Sequence, residues 1–351
     1  MNTDRSDETA GDMLRESTER LLADVVTSAA RAQVAAGEFP QDLWSAVEEL
    51  GLPSALLPEE AGGFGVPIDE ALPLLMVAGE HALPLPLADT MLAGLLLSKA
   101  GLEIPAGPFA VAPAADITLD ASGRASGQAR NVPWGRHARA VVALAGSASG
   151  TAVICLPQSA LSVEPNTGIA GEPRDDLRFE GAAAATAKVA FGAREWRAAG
   201  AATRALLMAG ALRSVTAMTA QYAQERKQFG RALGKFQAIQ QSLAVLAGQT
   251  ASAVAAAGIA AEAIAAWDDS LLPAVAAAKV RTGEAAGAGA AIAHQVHGAI
   301  GFTQEHRLHE FTRRLWGWRD EFGREAEWAR ELGRHLAAAG PDGLWPALTT
   351  V

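Results

Sequence analysis

The chain has 351 residues, which is enough for one large domain or for two to three smaller ones with an ample core. Its 29 lysines and arginines stand against 39 aspartates and glutamates, and the formal net charge of −10 argues against nucleic acid as a general partner. Cys155 is the single cysteine and the seven histidines are scattered, so we expect no disulfide, no metal site and a cytoplasmic location.

The first region has the apolar spacing of amphipathic helices. The start of the chain is polar and acidic and does not have the pattern of a signal peptide. Helices are predicted over Met13–Ala36, Gln41–Leu50, Ile68–Glu80 and Pro86–Ala100. Taken alone, Leu56–Gly65 (LLPEEAGGFG) is a glycine-rich connector. These patterns predict a helical domain over residues 1–104.

Residues 105–193 have a different character, with prolines, glycines and short β-branched runs. The predicted strands are Phe109–Ala112, Ala140–Leu144, Ala152–Leu156, Leu177–Phe179 and Lys188–Phe191. A series of such short strands predicts a small β-barrel or sandwich as the middle domain.

Residues 194–351 return to long helical patterns. The predicted helices are Ala201–Glu225, Phe236–Trp267, Pro273–Gly298 and Glu321–Ala339. Their short connections predict an antiparallel four-helix bundle, so the fold class is α+β and mostly α. The most apolar run, Ala251–Trp267, is interrupted by Glu262 and is too short and alanine-rich for a membrane span.

A basic corner lies between the first two bundle helices, within Gln221–Gln240 (QYAQERKQFGRALGKFQAIQ). Its cations are Arg226, Lys227, Arg231 and Lys235. Such residues could simply stabilise the C-terminal end of a helix through its dipole. Phe229 and Phe236 beside several glutamines favour instead a phosphorylated, ring-bearing ligand, because a guanidinium pairs well with phosphate.

Three segments resemble motifs of acyl-CoA dehydrogenases, flavoenzymes that oxidise acyl thioesters. Tyr222–Gln240 resembles the Arg-x-x-Phe-Gly turn of that family, and Gln295–Phe302 (QVHGAIGF) resembles its Gln-x-x-Gly-Gly-x-Gly-Phe segment. Leu56–Gly65 resembles its Pro-Glu-x-x-Gly-Gly-x-Gly loop. The order and spacing of these motifs extend the resemblance over most of the chain. It implies the acyl-CoA dehydrogenase fold, with a helical N-terminal domain, a β domain and a C-terminal four-helix bundle.

The resemblance also implies a set of FAD contacts at a site shared with a neighbouring subunit. Arg226 matches the arginine that contacts the FAD diphosphate, and Gln228 and Phe229 follow it in that set. The other implied cofactor contacts are Phe236, Gln237, Gln295, Gly298 and Ala299. Ala299 stands where the family often has a second glycine. For Gln295–Gly298 the alternative is a glycine helix stop with polar capping.

The middle region departs from the family pattern. The Thr-Glu-Pro-x-x-Gly-Ser-Asp loop that covers substrate and flavin is absent after Phe109. Asn131-Val132-Pro133 stands where the family has Trp-Ile-Thr beside the isoalloxazine ring. Pro133 can offer that ring neither a hydroxyl nor a backbone N–H.

The catalytic base of the family is also missing. The position of its glutamate falls on Phe322, within DEFGR, and the alternative position used by a subset of the family falls near Gly200. Glu321 is therefore the candidate catalytic carboxylate, although with Asp320 it is typical of an acidic helix start. The arginines and tryptophans of Arg307–Arg319 could hold a CoA phosphate or a subunit partner.

The resemblance implies FAD-dependent oxidation of an acyl-CoA to its 2-enoyl-CoA. Because both usual glutamates are absent, the chain resembles the degenerate member of α2β2 heterotetramers that act on bulky substrates such as steroid side-chain thioesters. The partners expected are an acyl-CoA and a second acyl-CoA dehydrogenase subunit, with no nucleic acid and no membrane. Three alternatives stay open: a self-sufficient homotetramer that uses Glu321, a flavin monooxygenase of the same fold, and a cofactor-free structural subunit.

Overall fold

The computed structural model describes residues 9–113, 115–147 and 150–349. Over these residues helices come first, an eight-stranded sheet follows, and a second set of helices ends the chain. The predicted fold class, α+β and mostly α, is confirmed. The domain boundaries near residues 104 and 193 stay predictions, and the outer limits at residues 1 and 351 lie outside the described range.

The described part of the first region, from residue 9, has six α-helices. They are α1 (Ala10–Val25), α2 (Ser28–Ala35), α3 (Gln41–Glu49), α4 (Ile68–Ala71), α5 (Leu74–Glu80) and α6 (Leu87–Lys99). The single helix predicted over Met13–Ala36 is wrong, because Thr27 caps a new helix by accepting a hydrogen bond from the Ala30 backbone N–H. The helix predicted over Ile68–Glu80 is likewise divided, at Pro73.

The middle region is one largely antiparallel sheet. Its strands are β1 (Phe109–Val111), β2 (Ala115–Leu119), β3 (Ala125–Pro133), β4 (Ala140–Ser147), β5 (Gly150–Pro157), β6 (Ser162–Glu164), β7 (Arg174–Ala182) and β8 (Ala185–Lys188). The order is β6-β7-β3-β2-β4-β5-β8, and β1 pairs with β4 in parallel. The strand predicted at Lys188–Phe191 is wrong in its position, and β2, β3 and β6 were not predicted. The sequence of β3 is ASGQARNVP, and its only β-branched residue is Val132, near the end, so little indicated a strand.

The last region, as far as it is described to residue 349, has three long helices and three shorter ones. They are α7 (Ala193–Glu225), α8 (Gln237–Ala266), α9 (Leu271–His297), α10 (Leu308–Asp320), α11 (Glu325–Ala338) and α12 (Gly340–Thr349). The helix predicted over Glu321–Ala339 is wrong at its start, because Phe322 (φ 55°) and Gly323 (φ 101°) take left-handed conformations that interrupt the helical path. Glu321 therefore follows the end of α10 and does not begin a helix.

A short β-hairpin with a two-residue turn lies between α7 and α8. Its strands are β9 (Lys227–Gln228) and β10 (Arg231–Ala232). Phe229 (φ 49°) and Gly230 (φ 78°) form the turn, with positive φ at both central positions as in type I′ turns. Phenylalanine is an unusual residue for such a position, so the sequence predicted a break here but not the hairpin.

The N-terminal helices pack tightly onto the first bundle helix. A β-carbon built on Gly79 of α5 would lie 2.1 Å from the Leu207 carbonyl oxygen, and one on Gly210 of α7 would lie 1.8 Å from the Met76 carbonyl oxygen. These glycines permit backbone contact between α5 and α7. The contact fixes α7 against the first region.

Helix α8 is apolar but largely uncovered. Among the described residues it is the one helix whose length and composition would allow it to cross a membrane, and 28% of its most apolar window is buried. The prediction against a span rested on Ala251–Trp267, which covers only the second half of this helix and its C-cap. Because α8 also packs on α7 and α9, its other side is a surface that an additional chain could cover.

Candidate functional site

Two of the motifs that resemble the family meet at one cavity. The hairpin end of α7 and the C-terminal end of α9 enclose about 560 Å³, here called the hairpin cavity. Five of the predicted cofactor contacts line it: Arg226, Gln228, Gln295, Gly298 and Ala299. These residues are up to 73 positions apart in the chain, and the antiparallel path of α7, α8 and α9 brings them together.

The residues of the hairpin cavity fit a nucleotide diphosphate. The Arg226 guanidinium is exposed and has no acidic partner among the described residues. Gln228 and Gln295 present carboxamides at the same wall, and Gly298 (φ 63°) leaves open space where a side chain would stand. A guanidinium, two carboxamides and an uncovered backbone suit phosphate oxygens and ribose hydroxyls. The roles of these residues toward FAD stay predictions.

Phe229, Phe236 and Gln237 do not line this cavity. Phe229 is 91% exposed at the tip of the hairpin, with its ring centroid 6.3 Å from that of Phe236. The Arg231 guanidinium lies 4.0 Å from the centre of the Phe236 ring. An aromatic ring held in solvent at a left-handed position contributes little to the core of its own chain. Its position suits contact with a ligand or a second subunit.

Stacked rings support the floor of the hairpin cavity. Tyr222 stacks on His297 with centroids 4.5 Å apart, and His306 makes edge contacts with both rings, at 4.5 Å from His297 and 6.2 Å from Tyr222. His297 Nδ1 donates to the Ala293 carbonyl oxygen at 2.8 Å, and burial lowers the pKa of His297. The ring is therefore held neutral and in a fixed orientation.

A second cavity lies between the sheet and the end of the bundle. It encloses about 780 Å³ and is called here the α10 cavity, because the C-terminal half of α10 and the loop after it form one wall. Both Asn131, at the position of the flavin-ring motif, and Phe322, at the position of the base, line it. Val132 and Pro133 do not, because they pair with β7 within the sheet. Val132 and Pro133 therefore do not offer this cavity the contacts that the family motif would give an isoalloxazine ring.

The resemblance places the base at Phe322 or, for a subset of the family, near Gly200, and these two residues lie together in the structure without a carboxylate on either. Phe322 is 3% exposed, and a β-carbon on Gly200 would lie 2.2 Å from its ring. The Arg204 guanidinium lies 5.1 Å from the centre of the same ring. An aromatic ring fills the space in which a glutamate from either position would stand.

Glu321 is a buried ion-pair partner. Its Oε2 lies 2.5 Å from Arg204 Nε, and its Oε1 lies 2.7 Å from Arg174 Nη2. Burial alone would raise the pKa of Glu321, but the two guanidinium groups outweigh it and lower the pKa to about 2. A carboxylate so strongly held in its charged form is a poor acceptor for a proton at neutral pH. The interpretation of Glu321 as an acidic helix start is wrong.

Glu321 belongs to a chain of six alternating charges, called here the ion chain. In order, its members are Arg314, Glu172, Arg174, Glu321, Arg204 and Asp89. Successive partners lie 2.8, 3.5, 2.7, 2.5 and 2.8 Å apart. The ion chain connects α6, the start of β7, α7 and α10, so it holds all three regions together. Three positive and three negative charges balance one another, as burial requires.

Several arginines of α10 and the turn before it are also engaged within the chain. Arg307 pairs with Glu310 at 3.1 Å, and Arg313 donates to the Ile169 carbonyl oxygen at 2.6 Å. Arg319 donates to Glu325 at 2.9 Å. These contacts provide an intramolecular role for a cluster that the sequence left open between a CoA phosphate and a subunit partner.

Comparisons with known proteins agree with this architecture. The family model described as acyl-CoA dehydrogenase, N-terminal domain, matches residues 8–101, and that described as acyl-CoA dehydrogenase, C-terminal domain, matches residues 193–319. The acyl-CoA dehydrogenase IpdE2 of Mycobacterium tuberculosis is 30% identical over 315 residues, which cover 87% of this chain and 90% of that protein. The chain belongs to the acyl-CoA dehydrogenase family.

Solved structures of acyl-CoA dehydrogenase fold resemble it closely. A chain of the ChsE4-ChsE5 complex from Mycobacterium tuberculosis has a TM-score of 0.86 at 23% identity, over 95% of this chain and 99% of that one. A chain of the Tcur3481-Tcur3483 steroid ACAD has a TM-score of 0.85 at 23% identity, over 94% and 98%. The predicted resemblance and fold are confirmed.

Sequence reasoning missed the ion chain of this acyl-CoA dehydrogenase. Arg204 is 1% exposed within an apolar helical run, RALLMAGAL, and a charged residue inside such a run was the available signal. Its partners Asp89 and Glu321 are 115 and 117 residues away, so no local pattern could have paired them.

Proposed function

We propose that this chain takes part in FAD-dependent α,β-dehydrogenation of an acyl-CoA as the subunit without the catalytic base. The observation that carries the proposal is the Phe322 ring packed on Gly200. Removal of the α-proton needs a carboxylate within hydrogen-bond reach of that proton. An aromatic ring cannot accept it, and the neighbouring Glu321 is committed to Arg174 and Arg204.

The hairpin cavity supports a contribution to cofactor binding. Arg226 would pair with the diphosphate of FAD, and Gln228 and Gln295 would hold its adenosine half. When bound, FAD accepts the β-hydrogen of the substrate as a hydride. The α10 cavity of this chain lacks the flavin-ring contacts, so the proposal places the ring in a neighbouring subunit.

The proposed partner is a second acyl-CoA dehydrogenase subunit that carries the glutamate, in an α2β2 assembly. The names of two similar structures support this, since one is a ChsE4-ChsE5 complex and the other a steroid ACAD named for two proteins. The proposed substrate is accordingly a bulky acyl-CoA of steroid catabolism, and the proposed location is the cytoplasm.

The test compares the chain purified alone with the chain co-expressed with a base-bearing acyl-CoA dehydrogenase subunit. Flavin absorbance and acyl-CoA-dependent reduction of an artificial electron acceptor are measured for both. We expect turnover only from the complex, and its loss when the partner's glutamate is changed to glutamine.

Turnover by the chain alone would instead favour the self-sufficient enzyme. If the complex is active and the Arg226→Ala variant of this chain has the same flavin content as the unmodified complex, the hairpin cavity does not bind the flavin. That result would favour the structural-subunit alternative. Oxygen-dependent NADH consumption with a flavin reductase would favour the monooxygenase.

A further inference from the structure

The α10 cavity is an open space that the proposed function does not use. Its volume of about 780 Å³ is within the range of sites for small organic molecules. Its wall combines apolar groups from α10 and the loop before β7, such as Trp316 and Ile169, with arginine side chains. Ile169 is 53% exposed, which shows that part of the apolar wall is not covered by the chain itself.

A bulge in β3 turns a cation toward this cavity. The pairing of β3 with β7 shifts register between Ala129 and Val132, so Arg130 and Asn131 have no partner on β7 in the strand ladder. Asn131 takes a left-handed conformation (φ 53°), and its backbone N–H donates to Asp176 Oδ1 at 2.9 Å. Bulges of this kind re-aim side chains and are frequent beside functional sites.

Arg130 differs from the other arginines at the cavity wall because it has no acidic partner among the described residues. Arg174 and Arg314 belong to the ion chain. Arg324 pairs with Asp320 at 2.9 Å, and Arg197 lies 3.6 Å from Glu327. One guanidinium therefore lines the cavity without a counter-charge, beside the Asn131 carboxamide, which also has no hydrogen-bond partner in the described chain.

We propose that the α10 cavity binds an amphipathic carboxylic acid without converting it. The carboxylate pairs with Arg130 and accepts from the Asn131 amide, and the apolar body lies on Trp316 and Ile169. Phe322 cannot accept a proton, and the described carboxylates at this wall are paired with arginines: Glu321 with Arg174 and Arg204, Glu172 with Arg314, Asp320 with Arg324, and Glu327 with Arg197. The ligand is therefore bound without a proton transfer. The proposal goes beyond the proposed function and does not depend on it.

The test uses two probes of different shape, dodecanoate and cholate, each with its uncharged methyl ester. Binding to the full chain, alone or in its complex, is measured by calorimetry and by quenching of tryptophan fluorescence. We expect saturable binding of at least one carboxylate, weaker by roughly tenfold or more for its ester and for Arg130→Gln. Trp316→Ala should weaken the binding of both the acid and its ester.

The matched control is Arg178→Gln, which removes another arginine of the β domain whose partner is Glu164, at 3.8 Å, and which does not line the α10 cavity. Its affinity for the acid should equal that of the unmodified chain. Equal affinity of acid and ester, equal affinity of Arg130→Gln and the unmodified chain, or no saturable binding of either acid would each overturn the proposal. Flavin content and turnover do not enter these measurements, so the result stands apart from the test of the proposed function.

Discussion

The ring of Phe322 lies so close to Gly200 that a β-carbon there would meet it at 2.2 Å. The resemblance to acyl-CoA dehydrogenases places the base at Phe322 or near Gly200, and the packing makes the side chain at each of these residues depend on the other. A large side chain at 322 requires none at 200. The contact is thus a specific packing arrangement, with Phe322 held at φ 55° by its surroundings.

Gly200→Ala should destabilise the chain by about 1–3 kcal/mol, because the added methyl group forces the buried Phe322 ring to move. In a Phe322→Ala background the same substitution should cost nothing, since the ring is gone and alanine favours a helix. The free energies of unfolding of the four proteins, from urea titration, form a double-mutant cycle.

The control for this cycle is Gly248→Ala in α8, where no atom lies within 4 Å of the new β-carbon. It should be neutral or stabilise by up to about 1 kcal/mol through helix propensity. An equal cost of Gly200→Ala in both backgrounds would show that the ring and the glycine are not coupled.

Glu321→Gln should lower stability while leaving catalysis by the complex nearly unchanged. Removing the charge between Arg174 and Arg204 leaves two buried guanidinium groups undercompensated, which typically costs about 3–5 kcal/mol. Turnover per folded complex should remain, whereas loss of a true general base reduces it by roughly 10²–10⁴-fold. A collapse of that size with flavin bound would restore Glu321 as the base. Asp320→Asn, at a neighbouring exposed carboxylate paired with Arg324, should cost less than about 1 kcal/mol.

The contribution of Glu321 should also depend on pH in a defined direction. Its pKa is about 2 in the folded chain against an ordinary 4.5, so its stabilising effect is complete above pH 4.5 and is lost as the pH falls toward 2. The difference corresponds to roughly 3 kcal/mol at about 1.4 kcal/mol per pKa unit. Burial raises the pKa of Asp89 and gives the opposite slope, so the quantity to measure is the difference between the unmodified chain and Glu321→Gln. That difference in unfolding free energy should shrink between pH 5 and pH 2, and a constant difference would contradict the prediction.

Arg226→Ala should weaken FAD retention by about 1.5–3 kcal/mol, because a charge-assisted pair with the diphosphate is lost. Arg226→Lys should restore only part of it, since a lysine lacks the planar fork. Flavin content at matched folding, measured by absorbance after dialysis, gives the result. Lys227→Ala is the control, because this neighbouring exposed cation does not line the hairpin cavity. If Arg226 only stabilises the C-terminal end of α7 through the helix dipole, all three variants will retain flavin equally.

Much of the fold was accessible from the sequence because its signals are local. The periodic runs of α7, α8 and α9 are long, and motifs at Arg226 and Gln295 predicted a shared site that the helices do bring to one cavity. The middle region was harder, because β2 has only five residues and because β3, although it has nine, contains a single β-branched residue and no aromatic one.

The ion chain and the α10 cavity could not have been predicted from such local signals. Asp89, Glu172 and Arg174 each have the sequence character of a surface residue, and tertiary packing brings them to their distant partners Arg204, Arg314 and Glu321. Asparagine is enriched in the left-handed conformation that Asn131 adopts, but phenylalanine is not, so the residue type gave no signal of the left-handed Phe322. The departures from the family motifs at these two positions were visible, but their meeting in one cavity was not.

The exposed side of α8 should make the chain depend on a partner for solubility. Val245 is 53% and Ile259 is 44% exposed on this helix, and Phe229 extends from the hairpin before it. Burying such apolar area between subunits is favourable by about 25 cal/mol per Å², so we expect the chain alone to self-associate and the co-expressed complex to be a stable tetramer. Light scattering coupled to gel filtration gives the mass of each.

Val245→Glu should prevent the tetramer while improving the solubility of the chain alone. Met13→Glu places the same charge at an equally exposed apolar residue of α1, outside the bundle, and should leave the tetramer intact. A monodisperse, soluble monomer of the unmodified chain at working concentration would show that the exposed side of α8 does not require a partner subunit.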